Sequence, residues 1–339
     1  MLRRSLALAT LGFLFCPAVS ATAVLEQISN HCYLYSPDAG GSASGIVATR
    51  EGVLVIDPPA EAELPAMMEA VGEVTRAPVR WVVYTNYLRA RSGGYRHLAR
   101  RGAVLLTSRQ MDPLLFPAPP PEPALPGPVP PWRESLRQEI PRVQPPPVAR
   151  VVFEDELKLF PEDLEVRIIA LRRKAFTPGD VVVFIPAENV LQAGDVFIPG
   201  NFPALDVQGG DGNALGWLEG MRQVIAAVPL LKPAIPQPKP DIEGPPEEEK
   251  TLDELVRVIP GSGPVCTLKD MKELEGAARK LRAQAQRAVA LKRVLATFLN
   301  SAALAEFRAL GNTEQFATQL YESLQATAAP PDEEPQPPR

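Results

Sequence analysis

Apolar residues recur with two different periods along the first hundred positions of the chain. Where they alternate or form short β-branched runs, the pattern predicts strands; where they recur every third or fourth residue, it predicts helices. The strand-like runs are 24–34, 44–56, 79–84 and 103–107, and the helix-like runs are 61–75 and 92–101. Strands that alternate with helices in this way predict an α/β structure built in layers.

The later part of the chain has strand-like segments first and helical segments afterwards. One amphipathic segment places Trp217 and Met221 a helical turn apart, which predicts that both lie in the core. The strand-like segments are 151–160, 164–171, 180–186 and 189–197, and the helical ones are 214–228, 268–298 and 302–325. We therefore expect a helical extension from about residue 268 to follow the strands.

Two Pro-rich stretches, at about 112–150 and 230–250, interrupt these patterns. Proline lacks a backbone N–H and favours extended conformations, so neither stretch is suited to regular helices or sheets. We interpret both as exposed insertions, the first with one short helix at 132–140. The polar, Pro-rich tail at 327–339 is predicted to be disordered.

The N-terminus is typical of a secretory signal peptide. Arg3 and Arg4 precede a short apolar stretch, and small residues follow up to Ala23. We expect residues 1–23 to be removed and the domain at 24–326 to be exported, to the periplasm or the medium. No later run is long and apolar enough to predict a transmembrane helix.

Composition narrows the possible functions. The formal net charge is -5 and the Lys and Arg residues are scattered along the sequence, so nucleic acid is not an expected partner. Cys32 and Cys266, the cysteines left after cleavage, could form a disulfide or remain two buried thiols. His31 and His97 are the only histidines, which excludes a His-rich catalytic zinc site.

Five short motifs follow one another at the ends of predicted strands. They are Asp57 after "VLVI", then "TNYLRARSGG", "FTPGD", "LQAGDVF" and "VIPGSGP". In this order the chain resembles the metallo-β-lactamase superfamily over about residues 24–324, with the Pro-rich stretches as insertions. The resemblance implies an α/β (α+β) fold, a four-layer αββα sandwich, here with the C-terminal helices added.

The same resemblance implies a zinc site, but nearly all of its ligands are missing. The family motif T-H-x-H-x-D-H-x-G-G begins at Thr85, H-T-P-G-D at residue 176 and P-G-H-G-P at Pro260. The positions that match the family's metal ligands are Asn86, Leu88, Ala90, Arg91, Phe176, Asp195 and Ser262, of which only Asp195 is a ligand residue. Asp57 and Asp180 match supporting positions. We therefore expect a vestigial site without zinc.

A lone carboxylate in such a site needs a partner, because an unpaired buried charge is costly. We hypothesise that Arg91 forms an ion pair with Asp195 in place of the metal, with Asn86 and Ser262 completing the hydrogen bonds. The alternative is that Arg91 points to solvent and Asp195 accepts hydrogen bonds from a backbone turn.

Other residues near these motifs allow two interpretations each. Arg89 and the basic run 172–174 could form a cationic rim for an anionic ligand, or a solvated loop. Tyr84 and Tyr87 could line a pocket or simply pack. Ser262 lacks the G-x-S-x-G context of a hydrolase nucleophile, and no histidine is placed to act as its base.

Two hypotheses of function follow. In the first, the chain is a non-catalytic pseudo-hydrolase that binds a small molecule or an envelope protein. In the second, it is a hydrolase with an atypical metal-poor or metal-free site built from Asn86, Arg91, Asp195 and Ser262. Metal-free hydrolysis needs a base, and a carboxylate paired with an arginine is a poor one because the pair favours its ionised form.

Overall fold

Two β-sheets, of seven and six strands, form the centre of the molecule. The computed structural model describes residues 24–37, 43–90, 94–117, 148–205, 211–228 and 251–328. Four predicted segments lie wholly or mostly outside these ranges. They are the signal peptide, the second Pro-rich stretch, most of the first one with its short helix, and nearly all of the tail.

The first sheet follows the order of the chain from one edge to the other. Its first four strands pair antiparallel, and the pairs from the fourth to the seventh strand are parallel. The strands are β1 (Val24–Gln27), β2 (Cys32–Ser36), β3 (Ser44–Ala48), β4 (Val53–Ile56), β5 (Val79–Val83), β6 (Val104–Ser108) and β7 (Arg150–Phe153).

The second sheet has the strand order β13-β12-β11-β10-β9-β8. Among the described strands of this sheet, only the pair β11–β12 is parallel. The strands are β8 (Glu156–Leu159), β9 (Val166–Ala170), β10 (Val181–Ile185), β11 (Val190–Gly194), β12 (Arg257–Pro260) and β13 (Cys266–Thr267).

Helices cover the outer faces of both sheets. Beside the first sheet lie α1 (Leu64–Val74), α2 (Tyr87–Ala90), α3 (Gly94–Arg100) and α4 (Asp112–Leu115). Beside the second lie α5 (Ala214–Ala227), α6 (Leu252–Leu255), α7 (Leu268–Ala290), α8 (Leu295–Leu299) and α9 (Thr313–Ala328).

Alternation along β10 shows how the layers are held together. Val181, Val183 and Ile185 pack into the core shared with the first sheet, whereas Val182 and Phe184 face the core under the C-terminal helices. The strand is buried on both faces, which explains its continuous apolar sequence. The structure thus confirms the predicted αββα sandwich.

Aromatic residues fix the helical layer on the second sheet. Trp217 is fully buried and donates its indole N–H to the carbonyl of Val196 at 2.7 Å. Phe316 of α9 meets the Trp217 ring edge-on, 5.3 Å between centroids, and stacks on Phe202 at 4.8 Å. The predicted core position of Trp217 is confirmed, as is that of the fully buried Met221.

Several predicted segments are divided in the structure. The run 24–34 is a hairpin, β1 and β2, turned at 28–31. The run 151–160 supplies β7 to one sheet and β8 to the other. The helix predicted at 268–298 ends at Ala290, although its apolar period continues to Leu295. Periodicity failed in each case because the apolar spacing is preserved across the break.

The C-terminal segment predicted as one helix at 302–325 is also two elements. A 3₁₀ turn covers Ala302–Phe307, and α9 starts at Thr313 and continues to Ala328.

Cys32 and Cys266 are free thiols, so the alternative of a disulfide between them is wrong. Cys32 is buried and Cys266 is half-buried, and burial raises the pKa of Cys32 to about 12. Within the described residues, no helix combines the length and the apolar character needed to span a bilayer.

Candidate functional site

The candidate site lies where loops from the two sheets meet. Asn86 follows β5 in the first sheet, while Asp195 and Gly261 follow the parallel strands β11 and β12 in the second. Neighbouring parallel strands end at the same edge of a sheet, so Asp195 and Gly261 lie close together.

Asp57, at the end of β4, holds the loop after β5 from behind. Its backbone is left-handed, with φ 52°, and its carboxylate accepts hydrogen bonds from the Thr85 N–H and hydroxyl, both at 2.7 Å. Burial raises the pKa of Asp57 to about 6, against the opposing effects of the Arg89 charge and of the Thr85 hydrogen bonds. Asp57 therefore positions Thr85 and is not open to solvent.

Asn86 turns the chain into the short helix α2. Its side-chain oxygen accepts the backbone N–H of Arg89, three residues on, at 3.0 Å, which is the contact of an N-capping residue. Its amide nitrogen donates to Asp195 Oδ2 at 2.8 Å. One buried side chain thus directs both Arg89 and Asp195.

The guanidinium of Arg89 binds Asp195 with two parallel hydrogen bonds. Nε donates to Oδ2 at 3.0 Å and Nη2 donates to Oδ1 at 2.6 Å. Nη2 also donates to the carbonyl of Gly261. The side chains are only 12% and 17% exposed, so this is a largely buried, bidentate pair that joins the loops of both sheets.

Electrostatics around Arg89 favour its charged form strongly. Burial by itself would lower the pKa of Arg89, but the hydrogen bonds that Arg89 donates to Asp195 and the charges of Asp57 and Asp195 outweigh burial and raise it above its usual value. The guanidinium is therefore a fixed positive charge between two carboxylates.

Asp180 is a further buried carboxylate beside this group. It accepts the Thr177 N–H at 2.8 Å and the Thr177 hydroxyl at 2.5 Å, which closes the turn of "FTPGD". Burial raises the pKa of Asp180 to about 7 although these hydrogen bonds oppose the shift, and the charge of Asp195 adds to it.

Close backbone approach explains why glycine is retained at two of the motifs. A Cβ at Gly261 would overlap Asp195 Oδ1 and lie 2.8 Å from Arg89 Nη2. Gly194 has φ +56°, and a Cβ there would overlap the Thr85 side chain. At both positions the absence of a side chain lets loops of the two sheets approach each other closely.

Solved structures with the same architecture are metallo-β-lactamases. The DIM-1 metallo-β-lactamase superposes with a TM-score of 0.52 at 14% identity, covering 76% of this chain and 97% of that one. The chain has the metallo-β-lactamase fold. VMB-1 gives a TM-score of 0.52 at 16% identity over 76% and 96% of the two chains, and TMB-1 gives 0.51 at 16% over 76% and 97%. Neither the known protein-family models nor the curated protein sequences match it.

The residues at the metal positions of the metallo-β-lactamase fold do not fit a metal ion. Leu88 and Phe176 are half-buried and pack against the two apolar cores. In the described residues, no three His, Cys, Asp or Glu side chains converge on one point. Asp195, the strong ligand that remains, is already bound by a cation that would repel another.

Arg91, which we predicted as the partner of Asp195, lies outside the described residues, and the side chain of Ala90 is likewise not described. The guanidinium that the structure places on Asp195 belongs to Arg89. Ser262 is exposed, and the neighbouring Gly261 carbonyl completes the hydrogen bonds in its place.

Of the two interpretations of the basic residues near the motifs, a cationic rim cannot include Arg89, because Arg89 is largely buried in the ion pair. Arg173 and Lys174 are exposed and pair with Glu219 and Asp211, as in a solvated loop. Tyr84 and Tyr87 are buried and pack in the core beside the first sheet, in agreement with the second of the two interpretations.

Sequence reasoning did not identify Arg89 as the partner of Asp195, nor the Gly261 carbonyl as a hydrogen-bond acceptor of the same guanidinium. The motif frame assigns a residue to each ligand position, and Arg89 falls between two of these. The available signal was Asn86 itself, since an asparagine after a strand is a common N-cap and predicts a helical turn.

The histidines pair elsewhere, His31 with Glu188 at 2.7 Å and His97 with Glu61 at 3.8 Å.

Proposed function

We propose that this chain is an exported, non-catalytic protein of the metallo-β-lactamase fold, with a binding or scaffolding role in the envelope. The observation that carries the proposal is the bidentate pair between Arg89 and Asp195. Its guanidinium lies on the one surviving ligand residue and links the loops that a metal links in the family.

The alternative of a metal-free hydrolase requires a group that activates water. Both carboxylate oxygens of Asp195 already accept hydrogen bonds, Oδ2 from Asn86 and Arg89 and Oδ1 from Arg89. Asp57 and Asp180 are buried and already accept hydrogen bonds from threonines. All three carboxylates are therefore already engaged by hydrogen-bond donors of the protein.

Support for export comes from the sequence at 1–23, with its basic start, apolar stretch and small residues. N-terminal sequencing of the protein recovered from the envelope fraction tests this part. We expect the mature chain to begin at residue 22 or 24; an intact N-terminus on the recovered protein would contradict export by cleavage.

Metal content and hydrolysis together test the central claim. The purified mature chain is dialysed with zinc, then with chelator, and its metal content and melting temperature are measured each time. It is then assayed against a chromogenic cephalosporin, a thioester, a lactone and a phosphodiester. We expect no stoichiometric metal, no change in melting temperature on chelation, and no turnover.

Two variants separate the possible exceptions. Turnover lost on chelation, or zinc that survives dialysis, would overturn the proposal. Turnover that resists chelator but is lost in Asp195→Asn and retained in Ser262→Ala would favour the metal-free hydrolase, because only the first substitution changes a side chain of the buried group.

A further inference from the structure

An unbalanced basic surface covers the second half of α7 and the turn that follows it. Residues 276–305 contain six Lys or Arg residues and no Asp or Glu. Because the whole chain has a formal net charge of -5, everything outside this segment carries -11. The six residues, here called the basic end of α7, are Arg279, Lys280, Arg282, Arg287, Lys292 and Arg293.

Helical spacing explains why these charges share one side of the molecule. The apolar positions of α7, including Leu281 and Ala285, are fully buried against the second sheet and the neighbouring helices. The four basic residues within the helix fall on the opposite, outward side, and Lys292 and Arg293 follow in the turn; all but the half-buried Arg282 are exposed. The mild net charge of the chain therefore conceals a strongly cationic face.

The two halves of α7 differ in how their charges are neutralised. In the first half, Lys269 pairs with Glu254 at 2.9 Å and Lys272 pairs with Asp253 at 2.8 Å. None of the six residues of the basic end has an ion pair with any other residue that the structure describes. The second half is thus the part that is available to an external anion.

Two large apolar residues project from the turn at this end. Leu291 and Val294 are 63% and 65% exposed, more than any other large apolar side chain in the described part of the chain. They flank Lys292 and Arg293 directly. Apolar side chains between cations are the pattern of surfaces that enter the boundary between lipid headgroups and acyl chains.

Backbone hydrogen bonds hold this turn in place. The Lys292 N–H bonds the Val289 carbonyl at 2.9 Å and the Arg293 N–H bonds the Ala288 carbonyl at 3.0 Å, the pair of contacts of a Schellman motif. Lys292 takes the left-handed position, φ 51°, that glycine usually fills. The Tyr321 hydroxyl also donates to the Arg293 carbonyl at 2.5 Å. The exposure of the apolar pair is therefore a property of the folded chain.

We propose that the basic end of α7 docks on anionic lipid bilayers, with Lys292 and Arg293 at the headgroup phosphates and Leu291 and Val294 inserted beneath them. A lipid surface fits better than a nucleic acid or an acidic protein segment because phosphates alone make no use of the two projecting apolar residues. The proposal does not depend on whether the Asp195 site is catalytic.

Vesicle flotation of the mature chain tests the proposal. We expect the protein to float with vesicles of phosphatidylcholine mixed with phosphatidylglycerol, and to stay behind with phosphatidylcholine alone. Each basic residue at an anionic surface contributes about a fivefold gain in partition, so Lys292→Gln with Arg293→Gln should weaken binding about 25-fold. Raising the salt concentration should weaken it further, because the attraction is screened.

Matched variants exclude general effects of charge and hydrophobicity. Lys269→Gln with Lys272→Gln makes the same change in net charge about 30 Å away along the helix, and should leave flotation within about threefold of the parent. Leu291→Gln with Val294→Ser should weaken flotation at least about tenfold, whereas Phe160→Ser, at another exposed apolar site, should not. Val294 precedes α8 as its N-cap, where serine is well tolerated.

Three results would overturn the proposal. One is no flotation with the anionic vesicles at low salt. Another is flotation that the Lys292 and Arg293 substitutions weaken no more than the Lys269 and Lys272 control does. The third is binding to heparin as strong as to vesicles and indifferent to Leu291 and Val294, which would assign the surface to an acidic polymer.

Discussion

Replacing Arg89 by methionine should destabilise the fold more than any substitution of a surface arginine. The change keeps much of the apolar stem and removes the guanidinium, so Asp195 loses the bonds at 3.0 Å and 2.6 Å and retains the Asn86 amide at 2.8 Å. Both partners are largely buried, at 12% and 17% exposure. Leaving one charge of such a pair uncompensated costs about 3–5 kcal/mol of unfolding free energy.

Urea denaturation followed by circular dichroism measures this loss as a shift of the midpoint at constant slope. Arg50→Met is the matched control. Arg50 Nε lies 2.9 Å from Glu162 Oε1, but the Arg50 side chain is 93% exposed, so its loss should cost less than about 1 kcal/mol. The same contact chemistry is thereby compared at two degrees of burial.

The double variant Arg89→Met with Asp195→Asn separates the cost of an orphaned charge from the loss of packing. With both charges removed, the unfolding free energy should recover by about 2 kcal/mol or more relative to Arg89→Met alone. The reasoning would be refuted if Arg89→Met cost no more unfolding free energy than Arg50→Met. It would also be refuted if the loss in the double variant equalled the sum of the losses in the two single variants.

Two further predictions concern the same region. Gly261→Ala places a methyl group against the buried ion pair and should cost about 1–3 kcal/mol or more of unfolding free energy. The control is Gly276→Ala in α7, where a Cβ meets nothing within 4 Å, and this change should stabilise by about 1 kcal/mol. Urea midpoints compare the two variants, and equal effects would contradict the packing account. Because burial raises the pKa of Asp180 to about 7, above its unfolded value of about 4, the folded state binds this proton more tightly and the unfolding free energy should fall as the pH rises from about 4 to about 7. Asp180→Asn should reduce that fall in urea titrations at the two pH values, and an unchanged pH dependence would show that Asp180 is not its source.

Much of the fold could be predicted because its signals are local. Short apolar runs rich in β-branched residues in β9 to β11 and helical spacing in α1, α5 and α7 identify elements of the correct type. The order of the five motifs along the chain then predicted how these elements are arranged, as an αββα sandwich. What periodicity could not show is which sheet a strand joins, so the division of 151–160 between β7 and β8 appears only in the pairing.

The site was harder to predict because its decisive contact depends on local backbone direction. Comparison of motifs assigned Arg91 a metal position and Arg89 none. In the structure, Asn86 caps α2 and thereby fixes the turn from which Arg89 reaches Asp195. A motif gives the position of a residue along the chain but not the direction in which a four-residue helix presents it. The capping role of Asn86 had to be recognised first.

A guanidinium suits this position for reasons that go beyond neutralising one carboxylate. The loops after β5, β11 and β12 belong to two sheets, and each brings a polar group to their junction. The Asn86 amide donates to the Asp195 carboxylate, and the Asp195 carboxylate and the Gly261 carbonyl accept from Arg89. Leucine in place of Arg89 could fill the volume but would donate to neither the carboxylate nor the carbonyl, and lysine would offer a point charge without the planar fork. Arg89 satisfies the carboxylate with two N–H groups and the carbonyl with a third contact, which cross-links the sheets as a bound metal would. The metallo-β-lactamase fold is therefore compatible with an ion pair at this junction, and the contact between Arg89 and Asp195 supports it.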